Sequence, residues 1–110
     1  MINKQLIDPE SIVVIGGSND LHKPGGTVLR NLIEGGYKGK LYVTNLKEPV
    51  VQGIKSYQNP MELPDADLAI IAIAAPFIPE TVELLAKHKN TKAFIILSAG
   101  FSEDTKPEGK

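Results

Sequence analysis

Two clusters of small and polar residues could do chemistry in this chain. Gly16-Gly17-Ser18-Asn19 follows directly on the apolar run Ile12 to Ile15, and Pro24-Gly25-Gly26 leads into an amphipathic run from Thr27 to Glu34. Glycines let the backbone approach an anion closely, and a helix N-terminus offers unpaired N–H groups at the positive end of its dipole. The pattern therefore predicts a buried strand, a glycine-bearing loop and a helix start that together cradle a phosphate.

Other chemistries find little support. The chain has no cysteine, which excludes disulfides, thiolate metal sites and a cysteine nucleophile. His22 reads as a solvated loop residue, and His88 falls at the end of a predicted helix, where it complements the dipole. Asp65 and Asp67 precede a strand, at the wrong end of a parallel sheet for a ligand. Glu103 and Asp104 read as solvated carboxylates, and no metal-ligand constellation occurs. A net charge of −1 gives no electrostatic case for nucleic acid or an anionic membrane. The longest apolar run, Leu68 to Ile78, is too short to cross a bilayer. The opening residues lack the apolar stretch of a signal peptide, so a cytoplasmic location is expected.

The elements that must position the glycine loop are legible in outline. A length of 110 residues, with 42% hydrophobic and 23% charged residues, fits one globular domain or part of one. Ile12 to Ile15 lacks alternation, as suits a strand covered on both faces. Thr27 to Glu34 places Val28, Leu29, Leu32 and Ile33 on one side of a helix, which Gly35-Gly36 stops. Lys40 to Thr44 is a second strand. Asn45 to Asp67 is the least regular piece, with a turn at Gly53, a short extended segment at Ile54 to Tyr57 and one helical turn at Pro60 to Leu63. Leu68 to Ile73 is a third strand, ended by Ala74-Ala75-Pro76. Phe77 to Lys89 is the clearest helix, with Ile78, Val82 and Leu85 on one face and a Glu83–Lys87 pair on the other. Ala93 to Leu97 is a fourth strand, ended by Ser98-Ala99-Gly100.

Strands alternating with helices imply a parallel sheet of about four strands, here expected in the order 3-2-1-4, with ligands bound outside its carboxyl ends. A dinucleotide site would want Gly-x-Gly-x-x-Gly and an acid after strand two; a P-loop would want Gly-Lys-Ser/Thr. Neither occurs. After strand two come Asn45, Leu46 and Lys47. Taken alone, Asn45 is a turn residue and Lys47 a solvated cation. Together with the glycine loop, a lysine there suits an additional phosphate, which leaves NADP and coenzyme A as candidates.

The residues also resemble a family. Ser11-Ile-Val-Val-Ile-Gly-Gly-Ser-Asn19, Lys23-Pro-Gly-Gly26, Val28-Leu-Arg-Asn-Leu32, Gly36-Tyr-Lys-Gly-Lys40, Asp67-Leu-Ala-Ile-Ile-Ala-Ile73 and Ser98-Ala-Gly-Phe-Ser-Glu103 are similar to the N-terminal CoA-binding domain of nucleoside-diphosphate-forming acyl-CoA synthetases. That group includes ADP-forming acetyl-CoA synthetase and the succinyl-CoA synthetase α subunit. The resemblance implies a Rossmann-like three-layer α/β domain. It implies that Gly16, Gly17, Ser18, Asn19, Gly26 and Thr27 hold the phosphates of coenzyme A. Asn45 and Lys47 would meet its nucleotide end, Lys47 near the 3′-phosphate. Ala74, Ala75 and Pro76 would line the pantetheine path, and Ser98, Ala99 and Gly100 would lie toward the thiol. Thr44 and Leu46 stand where the family usually has prolines, and Ile73-Ala74 where it has an isoleucine– or valine–proline pair.

The resemblance further implies that the phosphoryl-carrying histidine and the ATP-grasp domain belong to parts of a larger synthetase. Neither His22 nor His88 matches the histidine position. The chain would be a domain-sized piece, ending before a fifth strand, that binds CoA without catalysing a reaction alone. The remaining domains would be its partners, and an open sheet edge could pair with a second copy. A regulatory CoA-binding domain fused to an acetyltransferase, or a nucleotide-sensing domain for NADP, are the other functions compatible with such a pocket.

Overall fold

The computed structural model describes residues 9–97. Six strands form one sheet in the order β3-β4-β2-β1-β5-β6. In chain order they are β1 (Ser11–Ile15), β2 (Lys40–Thr44), β3 (Val50–Val51), β4 (Ile54–Tyr57), β5 (Leu68–Ile71) and β6 (Ala93–Ile96), with helices α1 (Pro24–Glu34) and α2 (Ile78–His88). All pairings are parallel except β3 with β4.

The unbroken apolar run of β1 is the centre of the sheet, and its alternate residues face opposite layers. Val13 and Ile15 join Ala69, Ile71 and Leu85, with Ile78 and Leu84 packed against them, so this face is covered by α2. Val14 joins Leu29, Val43 and Val51, and Ile12 joins Leu68 and Ile70, with Val28 and Leu32 of α1 alongside. This is the three-layer arrangement that the strand–helix alternation predicts. Leu29 and Leu85 are wholly buried. Each anchors its helix by about 2 kcal/mol of side-chain burial.

The strand order corrects one expectation. Leu68–Ile71 does not lie outside β2. It pairs with β1 on the opposite side, Val14 facing both Val43 and Ile70. The place beside β2 is taken by Ile54–Tyr57, Val43 pairing with Ser56. With that short strand counted third, the parallel strands run 3-2-1-4, and Ala93–Ile96 adds a fifth. The crossover from β4 to β5 needs no full helix. A 3-10 turn at Pro60–Glu62 is capped by Asn59, and it leads to Leu63 and Ala66, which are buried against Leu85 on the α2 face. The expected helical turn at Pro60 to Leu63 is present as that 3-10 turn.

Two further boundaries shift. The first helix begins at Pro24, three residues before the amphipathic pattern, because proline is favoured at a first helical position, where its missing N–H costs nothing. The last helix begins at Ile78, after a 3-10 turn at Ala75–Phe77. Its Glu83–Lys87 pair forms at 2.8 Å. Between β3 and β4 lies a two-residue hairpin loop, Gln52-Gly53, with φ of 50° and 85°. Two consecutive positive φ values are what a type I′ turn requires.

Candidate functional site

The carboxyl tips of β1, β2 and β5 meet where the chain leaves β1 for opposite sides of the sheet. Open α/β sheets bind ligands at such a switch point. At the tip of β1 the chain turns at Gly16, with φ +85°, and a Cβ there would fall 2.6 Å from the Ala72 carbonyl oxygen. Thr44, at the tip of β2, fixes that turn: its hydroxyl accepts the Gly16 N–H at 3.1 Å. The hydroxyl thus has a task at a position where the family resemblance leads one to expect proline. Asn45 ties the next residue, its amide donating to the Gly17 carbonyl at 2.9 Å. Its own carbonyl accepts the backbone N–H groups of Lys47 and Glu48 at 2.8 and 2.9 Å. One side chain therefore couples the glycine loop to the turn that presents Lys47.

The loop returns to the sheet at the first turn of α1. A Cβ on Gly25 would collide with the Gly16 carbonyl oxygen, so the helix starts in direct contact with the tip of β1. That start carries no side-chain cap and no acidic residue in its first turn. The N–H groups of a first turn have no partner within the helix. Thr27 donates its hydroxyl to the Leu21 and Lys23 carbonyls at 2.7 and 3.1 Å, so it closes the loop internally. Within the loop, the Asp20 carboxylate accepts the His22 N–H at 2.9 Å. That bond, more than the nearby imidazole, holds the Asp20 carboxyl below its ordinary value.

Sequence reasoning passed over one residue. Gln52 reaches from the β3–β4 hairpin to the loop, and its amide nitrogen donates to the Ser18 carbonyl at 2.8 Å and the Gly26 carbonyl at 3.0 Å. Its backbone N–H donates to the Asn19 side chain at 2.7 Å, and Asn19 donates back to the Val50 carbonyl at 3.2 Å. The only signal in the sequence is Gly53, which marks the turn.

A cleft of about 490 Å³ opens at this edge, on the α2 side. Of the expected residues, Gly16, Asn45 and Ala74 line it, together with Ile15, Thr44, Leu46, Ile73 and Phe77. Ala75 and Pro76 form the adjacent 3-10 turn, exposed. Gly17, Ser18, Asn19, Gly26 and Thr27 belong to the neighbouring loop and helix start rather than to the cleft wall. Lys47 is exposed beside it. Leu46 (81% exposed) and Phe77 (56%) stand at the mouth, apolar surface that a ligand could cover. Ser98, Ala99 and Gly100 lie outside the described residues. Asp65 and Asp67 sit at the amino ends of the strands and are engaged there: Asp65 accepts from Asn90 at 2.7 Å, and Asp67 accepts the Glu10 N–H at 3.0 Å. Among the described residues no His, Cys, Asp and Glu cluster could hold a metal ion, and no helix is long and apolar enough to cross a membrane.

A doubly wound α/β domain with a glycine loop and a helix start at its switch point belongs to the broad class of nucleotide-binding folds. Residues 10–107 match the family model described as CoA binding domain, and the chain belongs to that family. Among curated relatives, the α subunit of ADP-forming acetate–CoA ligase II of Pyrococcus furiosus is 43% identical over 105 residues, 94% of this chain and 22% of the relative. ADP-forming acetate–CoA ligase II of Archaeoglobus fulgidus is 37% identical over 102 residues, 92% of this chain and 15% of the relative. Among solved structures, acetyl-coenzyme A synthetase 1 of Ca. Korarchaeum cryptofilum in complex with phosphate and ADP superposes with a TM-score of 0.80 at 31% identity. That match covers 89% of this chain and 21% of the other. The chain thus spans less than a quarter of the length of each of these proteins. It is a CoA-binding domain homologous to the N-terminal part of ADP-forming acyl-CoA synthetases.

Proposed function

We propose that this chain supplies the coenzyme A berth of a cytoplasmic ADP-forming acyl-CoA synthetase, which interconverts acyl-CoA, ADP and phosphate with the free acid, CoA and ATP. The carrying observation is a convergence at one edge. The uncapped, acid-free first turn of α1 touches Gly16, Gly16 and Asn45 line the cleft, and Asn45 holds the turn that carries Lys47.

The residues present fit the chemistry of that ligand. Its diphosphate suits a loop of Gly16 to Asn19 backed by the start of α1 at Gly25 and Gly26, where the helix dipole favours negative charge; Thr27, whose N–H is bonded to the Lys23 carbonyl at 2.9 Å, would hold that start in shape. Its pantetheine arm suits an apolar wall of Ile15, Ile73, Ala74 and Phe77, with Ala75 and Pro76 in the adjacent turn; the family resemblance adds Ser98, Ala99 and Gly100 toward the thiol. Its 3′-phosphate suits Lys47, whose ammonium is engaged in no ion pair among the described residues. The chain's own part is to bind and orient the cofactor; phosphoryl transfer falls to the synthetase's remaining domains, its partners.

Calorimetric titration of the chain with CoA and with 3′-dephospho-CoA tests this. Lys47→Ala should weaken CoA by about threefold to tenfold, the range for an exposed charge-assisted contact, and leave 3′-dephospho-CoA unchanged. Equal affinity of the unaltered chain for the two ligands would remove the role of Lys47. Binding of neither would overturn the function.

A further inference from the structure

We propose that Gln52 is a positioning residue for the phosphate loop: its amide holds the Ser18 carbonyl away from the anion and fastens the loop to the first turn of α1, so that diphosphate-bearing ligands bind. The inference rests on the CoA reading above and deepens it.

A loop can present N–H groups to an anion only if its carbonyls point elsewhere, because a carbonyl dipole aimed at phosphate repels it. Those carbonyls then need donors of their own. Gln52 supplies one to the Ser18 carbonyl and, with the same amide, fastens the loop to α1. Its Nε2 donates to Ser18, just past the β1 tip, and to Gly26, inside the first turn of α1. Two further hydrogen bonds, Gln52 N–H to Asn19 and Asn19 to the Val50 carbonyl, keep the hairpin tip and loop in register. The amide orientation is fixed, since the flipped form would set its oxygen against two carbonyl oxygens.

Gln52 is poorly suited to its own place. Its φ of 50° is one that glycine or asparagine adopts more readily. Its Oε1 is buried without a hydrogen-bond partner. Both features work against local stability, and such exceptions concentrate where function needs a fixed geometry. Glycine would serve the turn at least as well but could not reach the loop.

The experiment compares the unaltered chain with Gln52→Gly and Gln52→Glu. Gln52→Gly suits the turn and removes the donor. Gln52→Glu keeps the length but sets a carboxylate against the two carbonyls. CoA is titrated by calorimetry and pantetheine, which lacks the diphosphate, by NMR shift perturbation. The expected result is CoA binding weakened about tenfold in both variants, from the loss of two part-buried hydrogen bonds. Pantetheine binding should be unchanged, and Gln52→Gly should melt close to the unaltered chain. Unchanged CoA affinity in the variants, or an equal loss for both ligands, overturns the role of Gln52. Failure of the unaltered chain to bind CoA overturns the parent reading and this one with it, so the two failures are told apart by the first titration.

Discussion

Replacing Thr44 by valine should loosen the turn on which the site depends. The side chain is 5% exposed, and its hydroxyl is the acceptor for Gly16 N–H at 3.1 Å. Valine keeps the shape, so little packing is lost, but the N–H then faces a methyl group. Leaving a buried donor unpaired costs about 1–3 kcal/mol. Gly16 is only half-buried, and water can recover part of that, which places the loss near about 1–2 kcal/mol. For a domain of about this size each kcal/mol lowers the melting midpoint by about 4–8 °C, so a fall of about 4–16 °C is expected. Urea denaturation should give the same loss at an unchanged slope. Amide exchange locates it: the Gly16 amide should exchange faster in Thr44→Val and at its normal rate in Thr44→Ser, which retains the hydroxyl. An unaltered Gly16 exchange rate in Thr44→Val would refute the assignment, whatever the midpoint did.

Two other perturbations probe the same edge. Gly25→Ala would normally favour a helix by a fraction of a kcal/mol, yet here the added carbon meets the Gly16 carbonyl oxygen. A net destabilisation of about 1–3 kcal/mol is expected, read by urea denaturation, because rigid backbone stands on both sides of the clash. The Asp20 carboxyl is held below its ordinary value by the His22 N–H, with smaller help from the His22 side chain. Its contribution to loop order is therefore complete above the ordinary carboxylate range and lost as pH falls through the lowered value. An NMR titration should show the His22 amide shifting with Asp20 at that lowered pH, and not shifting there in Asp20→Asn.

Physics explains which parts could be read from the residues. The four-residue apolar run of β1 and the 3.6-residue periodicity of α2 signal themselves locally, and the glycine pair marks where β1 must end. The start of α1 was harder, because Pro24-Gly25-Gly26 looks like a loop by propensity. Contact between Gly25 and Gly16, nine positions apart in the sequence, decides it instead. The β3–β4 hairpin is nearly silent, since β3 is two residues long and Gln-Gly is a weaker I′ signal than Asn-Gly. A strand so faint in sequence leaves the place beside β2 open to Leu68–Ile71 and gives no sign of Gln52, whose partners lie 26 to 34 positions away. Asn45 lines the cleft, but its bond to Gly17 could not be read from a turn residue.

Thr44, Asn45 and Gln52 are all uncharged, and each directs its side chain at a backbone atom of the glycine loop: the Gly16 N–H, the Gly17 carbonyl, and the Ser18 and Gly26 carbonyls. A chain of net charge −1 has no broad positive field with which to attract a polyanion. On the proposed CoA reading, the diphosphate would be held by short-range dipoles, which fall off steeply with distance and are effective only when the backbone is held in one shape, with Lys47 left for the 3′-phosphate. On that reading the side chains around the loop shape its carbonyls and amides, and the backbone meets the ligand. It also separates two kinds of lesion. Loss of Lys47 removes one charge and should be felt only by ligands carrying the matching phosphate. Loss of Thr44 or Gln52 disorders the shared backbone and should be felt by every ligand that carries the diphosphate.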